Sequence, residues 1–330
     1  MSLQPPESKC PFCQSAQSPR FILDKVNQNG RFSLYHCPCC GGEYFTPFKH
    51  PGEQWYEEVD SYNIKENFQP REIHSYHKKF LELHPDLAGV AVLELGCGTG
   101  EFLAELQKRG ADTYGVDIDK TAIEIAKKCF DLPHLYAMSI EDFCSQPARQ
   151  DFDYVVMFEV FEHVYNPVAI LQSAYQLLRD GGKLAMSTPS RERIFANWAN
   201  WDYPYHHLSR WDGSAIKNIL ELNGWRNIHI TYINRYHQLR ELFLDILAAK
   251  LHFRSARKFK VDNNQGNSSS TSKTQSNIGA TIKRYLIKTI YSLARFIGVV
   301  LLPHLLALIF YPILIVFYPR SGIMYLEASK

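Results

Sequence analysis

Between Asp86 and Ile233, short apolar runs alternate with stretches whose apolar residues recur every three or four positions. That alternation predicts an α/β domain, a parallel sheet with helices on both faces. Strands are expected near 90–96, 113–118, 133–137, 152–157, 183–188 and 227–233, and helices over 101–110, 120–130, 167–179 and 213–223. Gln69–His84 reads as an amphipathic helix stopped by Pro85. The expected division is a cysteine-bearing module (1–50), a linker with lid helices (51–85), the α/β domain (86–233 with 321–330) and an insertion (234–320).

The first strand of this domain runs into a glycine-rich turn, Val92–Gly100 (VLELGCGTG), and a helical pattern follows from Glu101. Such a turn lets backbone approach a ligand where a Cβ would clash. The second strand ends in Asp117 (TYGVDID), placed to bond two ribose hydroxyls in a doubly wound sheet. A hydride-transferring dinucleotide enzyme would prefer G-x-G-x-x-G, whereas the spacing here is G-x-G-x-G.

ELGCGTG, VDID, FDYVVMFEVFEHVYNP and DGGKLAMSTPS, in that order, resemble the class I S-adenosylmethionine (SAM)-dependent methyltransferases, in particular the ubiquinone-biosynthesis O-methyltransferases. The resemblance covers roughly Ala88–Ile233 and the last strand, Gly322–Lys330. It implies a doubly wound, seven-stranded, mostly parallel sheet with SAM as cofactor. The methionine part would lie along Glu94, Gly96, Cys97, Gly98 and Gly100, and the ribose on Asp117. Ile118 would touch the adenine face, Ile140 and Glu141 with Asp142 the adenine edge, and Phe158 would flank the cofactor. Asp142 as a plain helix cap and Phe158 as plain core are the competing readings.

Glu159, Glu162 and His163 form E-x-x-E-H. On a helix starting there, spacings of three and four would put all three on one face. Two carboxylates and an imidazole suit a divalent cation or proton transfer; the resembled enzymes carry this triplet, tied there to divalent metal. Acidic residues also favour a helix's first turn for electrostatic reasons alone. Trp201–Trp211 (WDYPYHHLSRW) reads as a loop over the substrate side. The resemblance places a His-x-x-x-aromatic stretch near the acceptor there, and His207 to Trp211 has that spacing. His163 or His207 is then the candidate base, needed only for an acceptor protonated at working pH.

Composition narrows the picture modestly. The 330 residues are 45% hydrophobic and 21% charged, enough for a sizeable core, and a net charge of +2 gives no argument for nucleic acid. The polar N-terminus shows no signal-peptide pattern, so the eight cysteines are expected as reduced thiols in a cytosolic compartment. Cys10-x-x-Cys13 and Cys37-x-x-Cys40 flank a short hairpin, the spacing of a structural zinc ribbon. Redox-active or disulfide-bonded pairs are the alternative; Cys39 is a spare thiol and His36 a hairpin residue. Pro47–Asn67, with Trp55, Tyr56 and Tyr62, reads as a connecting segment or as a lid.

Within the insertion, Tyr236–Phe259 is amphipathic with a basic end, and 262–280 is a Ser/Asn/Gln-rich linker. Phe296–Pro319 carries no Asp, Glu, Lys or Arg. Membrane-associated helices over 281–319, re-entrant or interfacial and flanked by Lys283, Arg284, Lys288, Arg295 and Arg320, are expected at a cytoplasmic membrane surface. A buried helical hairpin or oligomer interface is the competitor. The functional expectation is methyl transfer to a lipid-like or lipid-linked small molecule. A glycan or nucleotide-sugar acceptor, and a non-enzymatic SAM-binding adaptor, are the alternatives.

Overall fold

A computed structural model describes residues 9–49, 52, 55, 69–146, 151–193, 202–233, 239–240, 302–317 and 322–330. The chain divides into two compact units, Met1–Ile233 with Arg320–Lys330, and Asn234–Pro319. The α/β elements of the first are β4 (Ala91–Leu95), β5 (Asp112–Asp117), β6 (His134–Ala137), β7 (Phe152–Phe158), β8 (Leu178–Pro189), β10 (Arg226–Ile233) and β11 (Ile323–Ser329). They form one seven-stranded sheet in the order β10-β11-β8-β7-β4-β5-β6, parallel except for β11, which runs antiparallel to both neighbours. The terminal strand pairs with β10 as expected, and it also lies against β8, in the middle of a pairing rather than at an edge.

All five residues of β4 are buried, as in a parallel strand covered on both faces, and Glu94 is the one charged residue among them. β5 and β7 lie on opposite sides of β4, so strand order reverses at its carboxyl end. Ligands in doubly wound sheets bind at that switch point.

The helices begin where side chains satisfy their free amides. Asp119 accepts from Thr121 and Ala122 at α3 (Lys120–Cys129), and Asp212 from Ala215 at α6 (Gly213–Leu222). Asn166 accepts from Ala169, with Pro167 as first residue, at α5 (Pro167–Leu177). A short α4 (Ile140–Ser145), capped by Ser139, was not expected as a helix; its Asp142 sits in the first turn and bonds Ser139. The remaining helices are α1 (Ser75–Leu83), α2 (Glu101–Gln107) and α7 (Leu302–Phe317). The helix expected over 69–84 is shorter: 69–74 is non-helical and α1 starts at Ser75 after His74.

The N-terminal module is a second sheet, β1 (Arg20–Asn27), β2 (Gly30–His36) and β3 (Glu43–Thr46), completed by β9 (Ser209–Arg210) from the far end of the α/β domain. Glu43 pairs with Arg210 and Tyr44 with Ser209, and Leu208 accepts a further bond from the Phe45 amide. The module therefore shares a core with the sheet rather than standing apart. Phe12 packs on Trp211 at 4.6 Å between ring centroids, and Arg191 donates to the Gly41 carbonyl.

In the second unit, α7 has Pro312 inside it, and Leu305, Leu308, Ile309, Phe310, Ile313 and Val316 are exposed. No helix among the described residues is long and apolar enough to cross a membrane. The linker over 262–280, Tyr56 and Tyr62 lie outside the described residues, as does the rest of 281–319.

Candidate active site

The turn after β4 opens on a cleft of ≈ 620 Å³, its open mouth included, lined by Glu94, Gly96, Cys97, Gly98 and Phe158 among others. Those five were expected around the cofactor. Gly100, Asp117, Ile118, Ile140 and Glu141 are not among the lining residues. Gly100 caps α2 against Leu132 and Ala126. Asp117 lies behind the turn and organises it, accepting from the Gly98 amide at 2.7 Å and the Asp119 amide at 2.9 Å. Burial raises its carboxyl above the usual range and those amide bonds oppose the rise.

The two glycines in the turn do different work. A Cβ at Gly96 (φ +79°) would sit 2.5 Å from Val160 Cγ2, whereas one at Gly98 (φ +52°) would meet nothing within 4 Å and would stand in the cleft. Gly96→Ala should therefore cost about 2–3 kcal/mol of stability in urea unfolding through strain and overpacking. Gly98→Ala should cost about 1–2 kcal/mol while weakening SAM binding by calorimetry. Equal stability losses with unaltered SAM affinity in the second variant would refute this division.

Residues of α1 and the segment before it close the other wall; lid helices are expected over 51–85, but none of their residues is among the expected site residues. His77 stacks on Phe102 at 4.3 Å with 7° between planes. Its Nδ1 accepts from the His74 amide at 3.2 Å, leaving Nε2 to carry the proton, 3.8 Å from Glu94 Oε1. Burial pushes the His77 imidazole down to about 3, so it is neutral. Glu94 is raised well above the carboxylate range by burial and then by the Asp117 charge, and its Oε2 has no hydrogen-bond partner among the described residues. An orphaned carboxylate oxygen in this wall offers an acceptor to a cationic ligand group, as the methionine end of SAM requires. The only sequence signal for this wall was the amphipathic pattern ahead of β4.

The E-x-x-E-H triplet is not on a helix. Glu159 has φ +56°, the left-handed region that a helix start excludes, and α5 begins only at Asn166–Pro167. Glu159 instead accepts from the Ser187 hydroxyl at 2.8 Å, and burial lifts its carboxyl to about 7. The three-residue donor set is different from the expected one: Glu162, His163 and His207 present ligand atoms within 4.8 Å of one another, and Glu159 is not in the group. His163 Nε2 and His207 Nε2 lie 3.8 and 3.9 Å from Glu162 Oε1. Burial holds the His163 imidazole down at about 3 and lowers that of His207. Among the described residues neither Glu162 oxygen has a hydrogen-bond partner, and burial raises its carboxyl well above the usual range. Two neutral imidazoles facing a carboxylate can accept a proton or hold a cation. Trp211, by contrast, is core: fully buried, packed at a tilt against Phe12 and Phe161, with its indole N–H on Ser209.

The cysteines fit a tetrahedral ion. Cys10 Sγ–Cys40 Sγ is 3.8 Å and Cys13 Sγ–Cys37 Sγ 3.6 Å, and all four sulfurs lie within 4.8 Å. Zinc–sulfur bonds of about 2.3 Å give a tetrahedron with edges of about 3.8 Å; a disulfide would need about 2.0 Å. Burial pushes the Cys13 thiol up to about 12, so a cation is what would let the set ionise together. Cys39 is exposed and His36 ends β2, both outside the cluster as expected.

A doubly wound seven-stranded sheet with a glycine turn and an acid-lined cleft at its switch point defines a nucleoside-binding class I fold. The sequence profile of the methyltransferase domain family matches residues 66–230, half of the chain. A Coxiella burnetii ubiquinone biosynthesis O-methyltransferase is 30% identical over 180 residues, 50% of this chain and 75% of that protein. A Glaesserella parasuis protein of the same name is 36% identical over 112 residues, 32% of this chain and 48% of that one. In fold, the chain is similar to Haemonchus contortus phosphoethanolamine N-methyltransferase 2 solved with S-adenosyl-L-methionine, at TM-score 0.50 and 13% identity, covering 94% of this chain and 71% of that one. The chain belongs to the methyltransferase domain family and is a SAM-dependent methyltransferase.

Proposed function

We propose that this enzyme methylates a hydroxyl, or a comparable nucleophile, of a lipid-like or lipid-linked small molecule at a membrane surface. The observation that carries this reading is the apolar face of α7, with Leu305, Leu308, Ile309, Phe310 and Ile313 exposed on a segment free of Asp, Glu, Lys and Arg. Monomeric soluble proteins rarely leave such a face uncovered, and a helix too short to span can still lie in the interface. The name of the Coxiella burnetii relative, a ubiquinone biosynthesis enzyme, points the same way.

In this reading Glu94 and the Gly96–Gly98 backbone hold the methionine part of SAM, with Cys97 and Phe158 at its flank. Asp117 holds the ribose, Gly100 anchors the turn to α2, and Ile118, Ile140 and Glu141 meet the adenine. SAM supplies a methyl group already activated on sulfonium. The protein's own task is to align the acceptor in line with the C–S bond and exclude water. His207, with His163 and Glu162, takes the acceptor's proton; Glu159 orders the strand end through Ser187. The Glu162–His163–His207 donors also fit a divalent cation, which would acidify a bound hydroxyl. The four cysteines bind a structural zinc ion.

Full-length protein should co-sediment with phosphatidylglycerol vesicles, and the triple variant Leu308→Glu, Ile309→Glu, Ile313→Glu should stay in the supernatant while keeping SAM affinity. With radiolabelled SAM and a total cell extract, label should partition into the organic phase. Label confined to water-soluble acceptors would replace the lipid reading by the glycan or nucleotide-sugar one.

A further inference from the structure

Asp202 lies at the start of the loop that carries His207, five positions earlier in the chain, and is 2% exposed. Its Oδ1 is 3.3 Å from His207 Nδ1 and also accepts from the Arg193 guanidinium. Arg193 is itself held by a bond to the Ser190 carbonyl at 2.8 Å, just beyond the end of β8. Arg193 thus ties the Asp202 carboxylate to the end of the sheet. An ionised carboxylate can only accept, so His207 Nδ1 must carry the imidazole proton. The second imidazole is set in the same way: His163 Nδ1 faces the His206 carbonyl oxygen, which also only accepts. Both rings therefore turn a bare Nε2 toward Glu162 Oε1, at 3.8 and 3.9 Å.

We propose that Asp202 is a positioning residue for methyl transfer: it locks His207 in the Nδ1–H tautomer, so that Nε2 is the lone pair offered to the acceptor's proton. The proposal rests on the role given to His207 above. It extends that role to a side chain with no signature in the sequence, since Asp202 lies in a tyrosine- and histidine-rich loop with no spacing rule linking it to His207. Buried histidines that act through one nitrogen depend on the partner of the other, because the partner decides the tautomer.

Asp202→Leu tests this at similar side-chain volume. Arg193 and His207 share the one oxygen Oδ1, so an asparagine could keep its amide oxygen on both, whereas leucine removes the acceptor of the Nδ1 proton and leaves Glu162 Oε1 as the acceptor facing the ring. The imidazole proton then moves to Nε2. In protein selectively labelled with 15N-histidine, His207 (assigned by its absence in His207→Gln) should show a protonated Nδ1 and a bare Nε2 at pH 7.5, and Asp202→Leu should reverse the two. Methyl transfer should fall on the order of 10²-fold or more in kcat, with SAM affinity by calorimetry unchanged. A wild-type His207 protonated at Nε2, or an Asp202→Leu spectrum identical to wild type, would overturn the proposal. The wild-type spectrum decides even where the variant folds poorly. If His207→Gln retains full transfer while the tautomer reverses as expected, the role given to His207 fails and the action of Asp202 on the ring stands.

Discussion

Asp117→Ala should abolish SAM binding at micromolar concentrations, with the dissociation constant rising on the order of 10²–10³-fold. A carboxylate bonding two ribose hydroxyls loses roughly 3–4 kcal/mol of charge-assisted hydrogen bonding when truncated, and each 1.4 kcal/mol is about a decade in affinity. The structure adds a second reason. Asp117 accepts from the Gly98 and Asp119 amides, so its removal also releases the glycine turn. Asp117→Asn separates the two contributions, because an amide oxygen can keep one backbone bond but cannot serve both hydroxyls. Calorimetric titration of SAM into wild type and both variants is the measurement. Equal affinities across the three would remove the ribose assignment altogether, and loss confined to the alanine variant would reduce Asp117 to a support for the turn.

Stripping metal from the cysteine cluster should have the other large effect, and on the opposite side of the enzyme's task. The module has a small core of its own, so zinc is expected to contribute much of its folding free energy. Its third strand holds β9, and the Leu208 and Ser209 amides beside it donate to the Glu162 carbonyl. Collapse of the module would therefore reach His207 and Glu162 while the turn at Gly96–Gly98 stays in place. The purified protein should release one equivalent of zinc on thiol modification. Trp211, packed on Phe12, should then shift its emission to the red as it becomes exposed. SAM affinity should persist while methyl transfer is lost, and Cys37→Ser should reproduce the metal-free state. Protein purified without zinc, or unchanged tryptophan emission after chelation, would count against a metal-built module.

The periodicities that mark β4, β5 and β7 are local, and so is the glycine turn, which is why they could be read directly. Continuous burial writes an apolar run, and a helix writes a three-to-four spacing, whatever else the chain does. The errors share a cause. Glu159, Glu162 and His163 have helical spacing, yet a left-handed residue at Glu159 and the cap at Asn166 defer the helix, and spacing alone cannot report either. The wall formed by His77 looked like the polar margin of an amphipathic helix until α1 was seen to close on Glu94.

By itself, then, the sequence determined the doubly wound sheet, the cleft at the end of β4 and the tetrahedral cysteine spacing, because each is encoded within a few consecutive residues. Tertiary structure alone decided that His163 and His207 share one carboxylate, that Asp202 sets the tautomer of His207, and that the N-terminal module borrows its fourth strand from residues 209–210. Those groupings join side chains separated by many positions, such as His163 and the His206 carbonyl 43 residues on. The meeting of distant residues depends on how the sheet and loops pack, and no local pattern along the chain records it.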